Sequence, residues 1–166
     1  MDTPVVVRPA TLDDDAALLE IDHVTWSRAW SPGEPPDRDR HPTFFRPQHG
    51  GPEGFLVAEL AGEPVGYVAL HPAGTLASHA HVRIIDGLGV LPPAQGRGVG
   101  RTLVEAAVAR ARDEGAATVT LRVLSTNPTA RRLYERCGFV VEGVLVGEFV
   151  IDGSPVDDVW MARHLA

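Results

Sequence analysis

Hydrophobic positions along this 166-residue chain follow two periods, and each change of period marks an element. Val5, Val6 and Val7 form a β-branched run that predicts a short strand ended by Pro9. From Leu12 the spacing becomes helical. Leu12, Ala16, Leu19 and His23 recur on one face, and Leu18, Ile21 and Trp26 widen the stripe, which predicts a helix over 12–26. Thr11 stands at its N-cap, and Asp13, Asp14 and Asp15 fall in its first turn, where carboxylates complement the helix dipole.

Between Ser31 and Gly54 lie six prolines and four glycines, so this stretch predicts a long loop. Loops longer than about 12–15 residues are usually functional or disordered. Phe55 to Leu60 and Val65 to Leu70 predict two strands around a turn at Ala61, Gly62 and Glu63. A strand pattern covers Ala80 to Val90 and ends at Pro92 and Pro93. Val99 to Glu114 predicts a helix stopped by Gly115. Thr118 to Leu124 alternates strictly and predicts a strand. Asn127 and Pro128 fit the N-cap and first residue of a short helix ending at Gly138. Phe139 to Ile151 and Val156 to Arg163 predict two last strands around Asp152 and Gly153. The order implies a mixed α/β sheet of about seven strands with helices on both faces, in one domain over 1–166.

Composition narrows the function classes. Hydrophobic residues are 44% and charged residues 22%, ordinary for a globular protein. No apolar run approaches the roughly 18 residues needed to span a bilayer, and the N-terminus has no basic signal-peptide pattern. The expectation is a cytoplasmic protein without a membrane partner. All 15 basic residues are arginine, and 22 acids bring the net charge to -7, which argues against a nucleic-acid partner. The single cysteine, Cys137, excludes an intrachain disulfide and a multi-cysteine zinc site; at its place on an apolar helix face it reads as a small core residue. His79 and His81 at i, i+2 lack an evident third ligand, so no metal is expected.

The most informative stretch runs from Leu88 through Gly89, Val90, Gln95, Gly96, Arg97, Gly98, Val99 and Gly100 to Arg101: strand, prolines, glycine-rich turn, helix. The first amides of a helix have no internal acceptor, and the dipole places about half a positive charge there. Phosphate oxygens suit that position, and Arg97 and Arg101 can add charge-assisted bonds. A nucleotide P-loop would need a lysine, and the glycine spacing differs from that of a dinucleotide-binding turn. From the residues alone, a helix start without a ligand stays open.

Gln95-x-x-Gly98-x-Gly100, between a strand and a long helix, resembles the acyl-CoA motif of the GNAT superfamily of N-acetyltransferases. A second segment, from Asn127 through Tyr134 to Gly138 and Phe139, is similar to that family's asparagine, short helix, tyrosine and Gly-Phe pair. The resemblance covers most of the chain, because the order of elements also matches. It implies a mostly antiparallel seven-stranded sheet whose central strands, ending at Val90 and starting at Thr118, pair at one end and splay at the other. It places acetyl-CoA in the wedge, with pantetheine along Leu88 to Val90, pyrophosphate on the amides of Gly96 to Arg101, and Asn127 in contact.

The same resemblance makes Tyr134 the acid that protonates the departing thiolate. The residues themselves allow a plainer role, since Tyr134 packs at helical spacing with Ala130, Leu133 and Cys137. Where many relatives carry a glutamate on the strand before the glycine turn, this chain has Ile84. Asp86, two residues on, leads as the substitute base, ahead of His81 and Glu148; a water chain is the alternative. The acceptor, a small-molecule or peptide amine, is expected between the first helix, the 31–54 loop and the Gly147 to Val156 region, with Trp26 or Trp30 in its wall. The resemblance allows a homodimer. The competing function is a non-catalytic acyl-CoA-binding sensor.

Overall fold

A computed structural model describes residues 3–47 and 50–165. The strands are β1 (Val6–Pro9), β2 (Phe55–Leu60), β3 (Glu63–Pro72), β4 (Val82–Val90), β5 (Thr118–Leu124), β6 (Val140–Ile151) and β7 (Ser154–His164). Three helices intervene: α1 (Asp15–Thr25), α2 (Val99–Asp113) and α3 (Pro128–Arg136). The sheet order is β1-β2-β3-β4-β5-β7-β6. Every pairing is antiparallel except β4 with β5.

That parallel pair opens the sheet. Register runs from Val82↔Thr118 to Ile85↔Leu121 and stops. From Asp86 onward β4 has no partner on its β5 side, so the expected splay is present.

Side chains alternate across a strand, and this divides the core in two. Leu56, Ala58, Val68 and Leu70 face α2, where Leu103, Val104, Ala107 and Val108 are buried, together with Tyr134, Cys137 and Phe139. Phe55, Val57, Tyr67 and Ala69 face the other way, onto Leu18 and Ile21 of α1. Leu103 is fully buried, so truncating such a leucine to alanine costs about 2–5 kcal/mol.

The acids before α1 do more than complement a dipole. Leu12–Asp14 forms a 3-10 turn, and the α-helix begins only at Asp15. Asp14 is buried, accepts from the Thr11 N–H at 2.7 Å, and takes both arms of Arg8 at 2.8 and 2.7 Å. The guanidinium holds its carboxyl below the usual range. Asp15 accepts the N–H groups of Phe44 and Phe45 at 3.1 and 2.9 Å. That anchors the long loop on α1 and sets Phe44 edge-on against Phe55 and Tyr67.

Candidate active site

Residues from two separated motifs meet beside the splay. Pro92–Ala94 forms a 3-10 turn, and Gln95 then donates its side-chain N–H to the Val90 carbonyl at 3.0 Å. Gly96 and Gly98 adopt φ of +75° and +80°, left-handed values that favour glycine. A Cβ at either would meet nothing within 4 Å, so this side of the turn is open. Gly98 caps α2, whose first amides lack helical acceptors. Arg97 and Arg101 are exposed and form no ion pair among the described residues. The turn is thus shaped and charged for a phosphate.

Other residues of the stretch have packing duties. Val99 is buried, so only its backbone can serve a ligand. At Gly100 a Cβ would lie 3.2 Å from Leu133 Cδ2; this glycine lets α3 approach α2. At Gly89 it would lie 3.0 Å from Tyr67 Cε1 and 3.1 Å from Ile21 Cγ2, so α1 and the Tyr67 ring pack on bare backbone. Leu88 and Val90 lean on the α2 core.

Asn127 caps α3, accepting the Ala130 N–H at 3.1 Å. Seven residues on, Tyr134 is 7% exposed and packs edge-on to Phe139. Its hydroxyl bonds to no group among the described residues. Burial, and the nearby Cys137, push its pKa up to about 12, so it holds its proton near neutrality. Cys137 is buried and its thiol is pushed up by desolvation, as expected of a core residue.

On the α1 face lies a cavity of about 730 Å³, within the usual small-molecule range of roughly 300–1,000 Å³. Phe44, Phe55 and Tyr67 supply aromatic surface, Asp22 and Trp26 come from α1 and its end, and the 31–46 loop contributes much of the remaining wall. Asp22 accepts the Tyr67 hydroxyl at 3.0 Å. Burial, then this carboxylate, raise the Tyr67 pKa well above its ordinary value.

Asp86 lines the same cavity because β4 bulges. Ala69 faces Gly87 but Leu70 faces Ile85, leaving Asp86 as an extra residue. Its carboxylate oxygens lie 2.8 and 3.0 Å from Nδ1 of His71 on β3. His71 also lines the cavity, and the hydrogen bond to Asp86 raises its pKa. His71 was missed in the sequence: only its alternation with Ala69 and Tyr67, two and four residues back, marks its face, and its meeting with Asp86 depends on a bulge.

The remaining residues expected at the site divide between this cavity and other places. Trp26 lines the cavity but Trp30 does not; the Trp30 indole N–H donates to the Thr25 carbonyl at 2.7 Å, closing the end of α1. No residue of 147–156 lines the cavity. That hairpin meets the end of α1 elsewhere, through Arg28 and Asp152 at 3.7 Å. His81 and Glu148 are exposed and outside the cavity, and the His81 ring sits 6.3 Å from that of His79. Ile84, opposite His71 in register, is half-buried.

The model of the Acetyltransferase (GNAT) family matches residues 16–139. The mycothiol acetyltransferase of Streptomyces griseus is 32% identical over 133 residues, covering 79% of this chain and 41% of that protein. The Bacillus subtilis N-acetyltransferase YhfO is 37% identical over 85 residues, covering 51% of this chain and 57% of that one. The chain therefore spans less than two thirds of either relative. Among solved structures, smu.2055 of Streptococcus mutans superposes with a TM-score of 0.84 at 26% identity, covering 97% of this chain and 99% of that one. The Salmonella typhimurium protein yncA, solved with acetyl-CoA, gives 0.81 at 22% identity, covering 99% and 95%. With a family model extending over most of its length, the chain belongs to the GNAT family of acetyltransferases.

Proposed function

We propose that this protein moves the acetyl group of acetyl-CoA to a primary amine by direct attack within a ternary complex. The observation that carries the reading is the open, glycine-lined start of α2 beside the unpaired edge of β4. The amides of Gly96 to Arg101, with Arg97 and Arg101, would hold the pyrophosphate; Leu88 to Val90 would run along the pantetheine, with Asn127 nearby. Acetyl-CoA supplies an activated acyl group and a thiolate leaving group. Asp86 receives the proton that the acceptor ammonium must lose before its nitrogen attacks. Tyr134 gives its hydroxyl proton to the departing sulfur, a role suited to a phenol that stays protonated.

The acceptor belongs in the cavity on the α1 face, and charge favours a cationic amine. Arg38 and Arg40, in its wall, are matched by Glu20 and Asp37, and the third wall arginine, Arg46, is outnumbered by Asp22, Glu34 and Asp86. Asp22 and Asp86 have no arginine partner among the described residues. A location in the cytoplasm belongs to the same reading. So does a homodimer, supported by the exposed Val144, Leu145 and Val146 on edge strand β6.

The test is calorimetric binding of acetyl-CoA together with thiol release across a panel of primary amines. Binding with amine-dependent thiol release is expected. Binding without release from any amine would make the domain an acyl-CoA sensor, and no binding would overturn both readings.

A further inference from the structure

Asp86 sits on a bulge, with its side chain 46% exposed. Nothing on its own strand fixes a carboxylate there. We propose that His71 is the positioning residue that holds Asp86 toward the acceptor cavity; this rests on the acetyltransferase reading and on Asp86 as its base.

The imidazole is fixed on three sides. Nδ1 faces both Asp86 oxygens, at 2.8 and 3.0 Å. The ring stands edge-on to Phe55, centroids 5.4 Å apart at 82°. Nε2 is buried without a partner among the described residues. Behind it is Gly54, where a Cβ would lie 2.2 Å from Nε2. A carboxylate partner assigns the proton of neutral His71 to Nδ1, which then donates to Asp86. With Nδ1 engaged by Asp86 and Nε2 buried against Gly54, neither ring nitrogen is offered to the acceptor. The acceptor ammonium loses one proton to an Asp86 oxygen, and the freed nitrogen pair forms the N–C bond as the C–S bond breaks. The departing sulfur takes the Tyr134 proton, and the surplus proton on the acylated nitrogen returns to the Tyr134 oxygen. His71 keeps its own proton throughout and acts only through the geometry of Asp86.

Misplacing a reacting group by about 1 Å can cost on the order of a hundredfold. Asp86→Asn measures the base itself and should lower kcat by about a hundredfold or more. His71→Phe retains a ring against Phe55 but removes the donor. His71→Asn loses the ring but offers an amide N–H near the position of Nδ1. Under the proposal, His71→Phe lowers kcat about ten- to hundredfold with acetyl-CoA KM unchanged, and His71→Asn recovers most of that loss. Gly54→Ala, which leaves His71 intact but pushes its ring aside, should lower kcat as His71→Phe does.

A packing role predicts the opposite order, with His71→Phe near the parent rate and His71→Asn impaired; that result overturns the proposal. Should His71→Phe fail to fold, the comparison of Gly54→Ala with His71→Asn decides: an inactive first and active second supports positioning, and the reverse refutes it. Full activity in Asp86→Asn would instead sink the assignment of the base.

Discussion

Replacing Gly98 by alanine separates ligand contact from backbone strain. Gly98 has φ of +80°, and its Cβ would meet no protein atom within 4 Å. Without a ligand the substitution therefore costs only conformation. A non-glycine residue in the left-handed region costs roughly 1–2 kcal/mol. Lost freedom in the unfolded chain returns roughly 0.4–1 kcal/mol. The net is about 1 kcal/mol, a melting shift of about 2–4 °C at this size. Gly115, at the far end of α2, is an internal control: its φ is also +80° and its Cβ position is equally open. Gly98→Ala and Gly115→Ala should thus lose similar stability. Their affinities for acetyl-CoA should part, because a methyl at Gly98 occupies the space a pyrophosphate needs. Titration calorimetry should show a Kd raised at least tenfold, about 1.4 kcal/mol, for Gly98→Ala alone. Equal Kd values in the two variants would refute the placement of the phosphates.

Three further outcomes test other parts of the site. Tyr134→Phe keeps the contact with Phe139 and removes only the hydroxyl; steady-state kinetics should show turnover reduced about 10²–10³-fold with acetyl-CoA affinity retained, and an unchanged rate would leave Tyr134 a core residue. Trp26→Ala should raise the acceptor KM or reorder acceptor preference, while Trp30→Ala, outside the cavity, should lower the melting temperature and leave acceptor KM alone. The His71 pKa is raised mainly by Asp86, with Glu53 adding and Arg110 opposing. A raised folded-state value contributes stability that is full below the unfolded histidine pKa of about 6.5 and disappears as pH rises through the folded value. Urea midpoints of parent and His71→Phe should therefore differ more at about pH 5.5 than at about pH 9, and a difference constant with pH would contradict that linkage.

How legible each element was depended on whether its cause is local. The alternation of Thr118 to Leu124 gives β5 with its observed bounds, and helical spacing up to Gly115 gives α2 to within a residue. The strand expected from Ala80 begins at Val82, because Ala77–His79 forms a 3-10 turn that holds the Ala80 N–H. The glycine turn was legible since its spacing and its conformation are the same local fact. Asp86 was found by its place on the strand, but its partner was not, because register between β3 and β4 is a property of two strands. Phe44 and Phe45 passed as loop residues; the Asp15 carboxylate that docks them lies about thirty positions away. Of the two tryptophans offered for the acceptor wall, Trp30 is tied elsewhere: its indole N–H is taken by a backbone carbonyl five residues back, a contact that a tryptophan beside a long loop does not announce.

Strand β4 links the two halves of the site by its alternation. Leu88 and Val90 point to the α2 side, and the carbonyl of Val90 is tied to Gln95 at the head of the glycine turn. Gly87 and Gly89 turn the other way and leave room for the Tyr67 ring, whose hydroxyl reaches Asp22 across the cavity. A regular strand would continue this alternation through Asp86 and send its side chain to the α2 side. The bulge breaks the sequence once, so that Asp86 and Gly87 both serve the α1 face. The bulge begins one residue after Ile85, where β5 stops pairing. The strand thus leaves its parallel neighbour and redirects its carboxylate within two residues. The opening proposed for acetyl-CoA and the proposed base are set by the same short irregularity, which couples the donor edge to the acceptor cavity without any moving part.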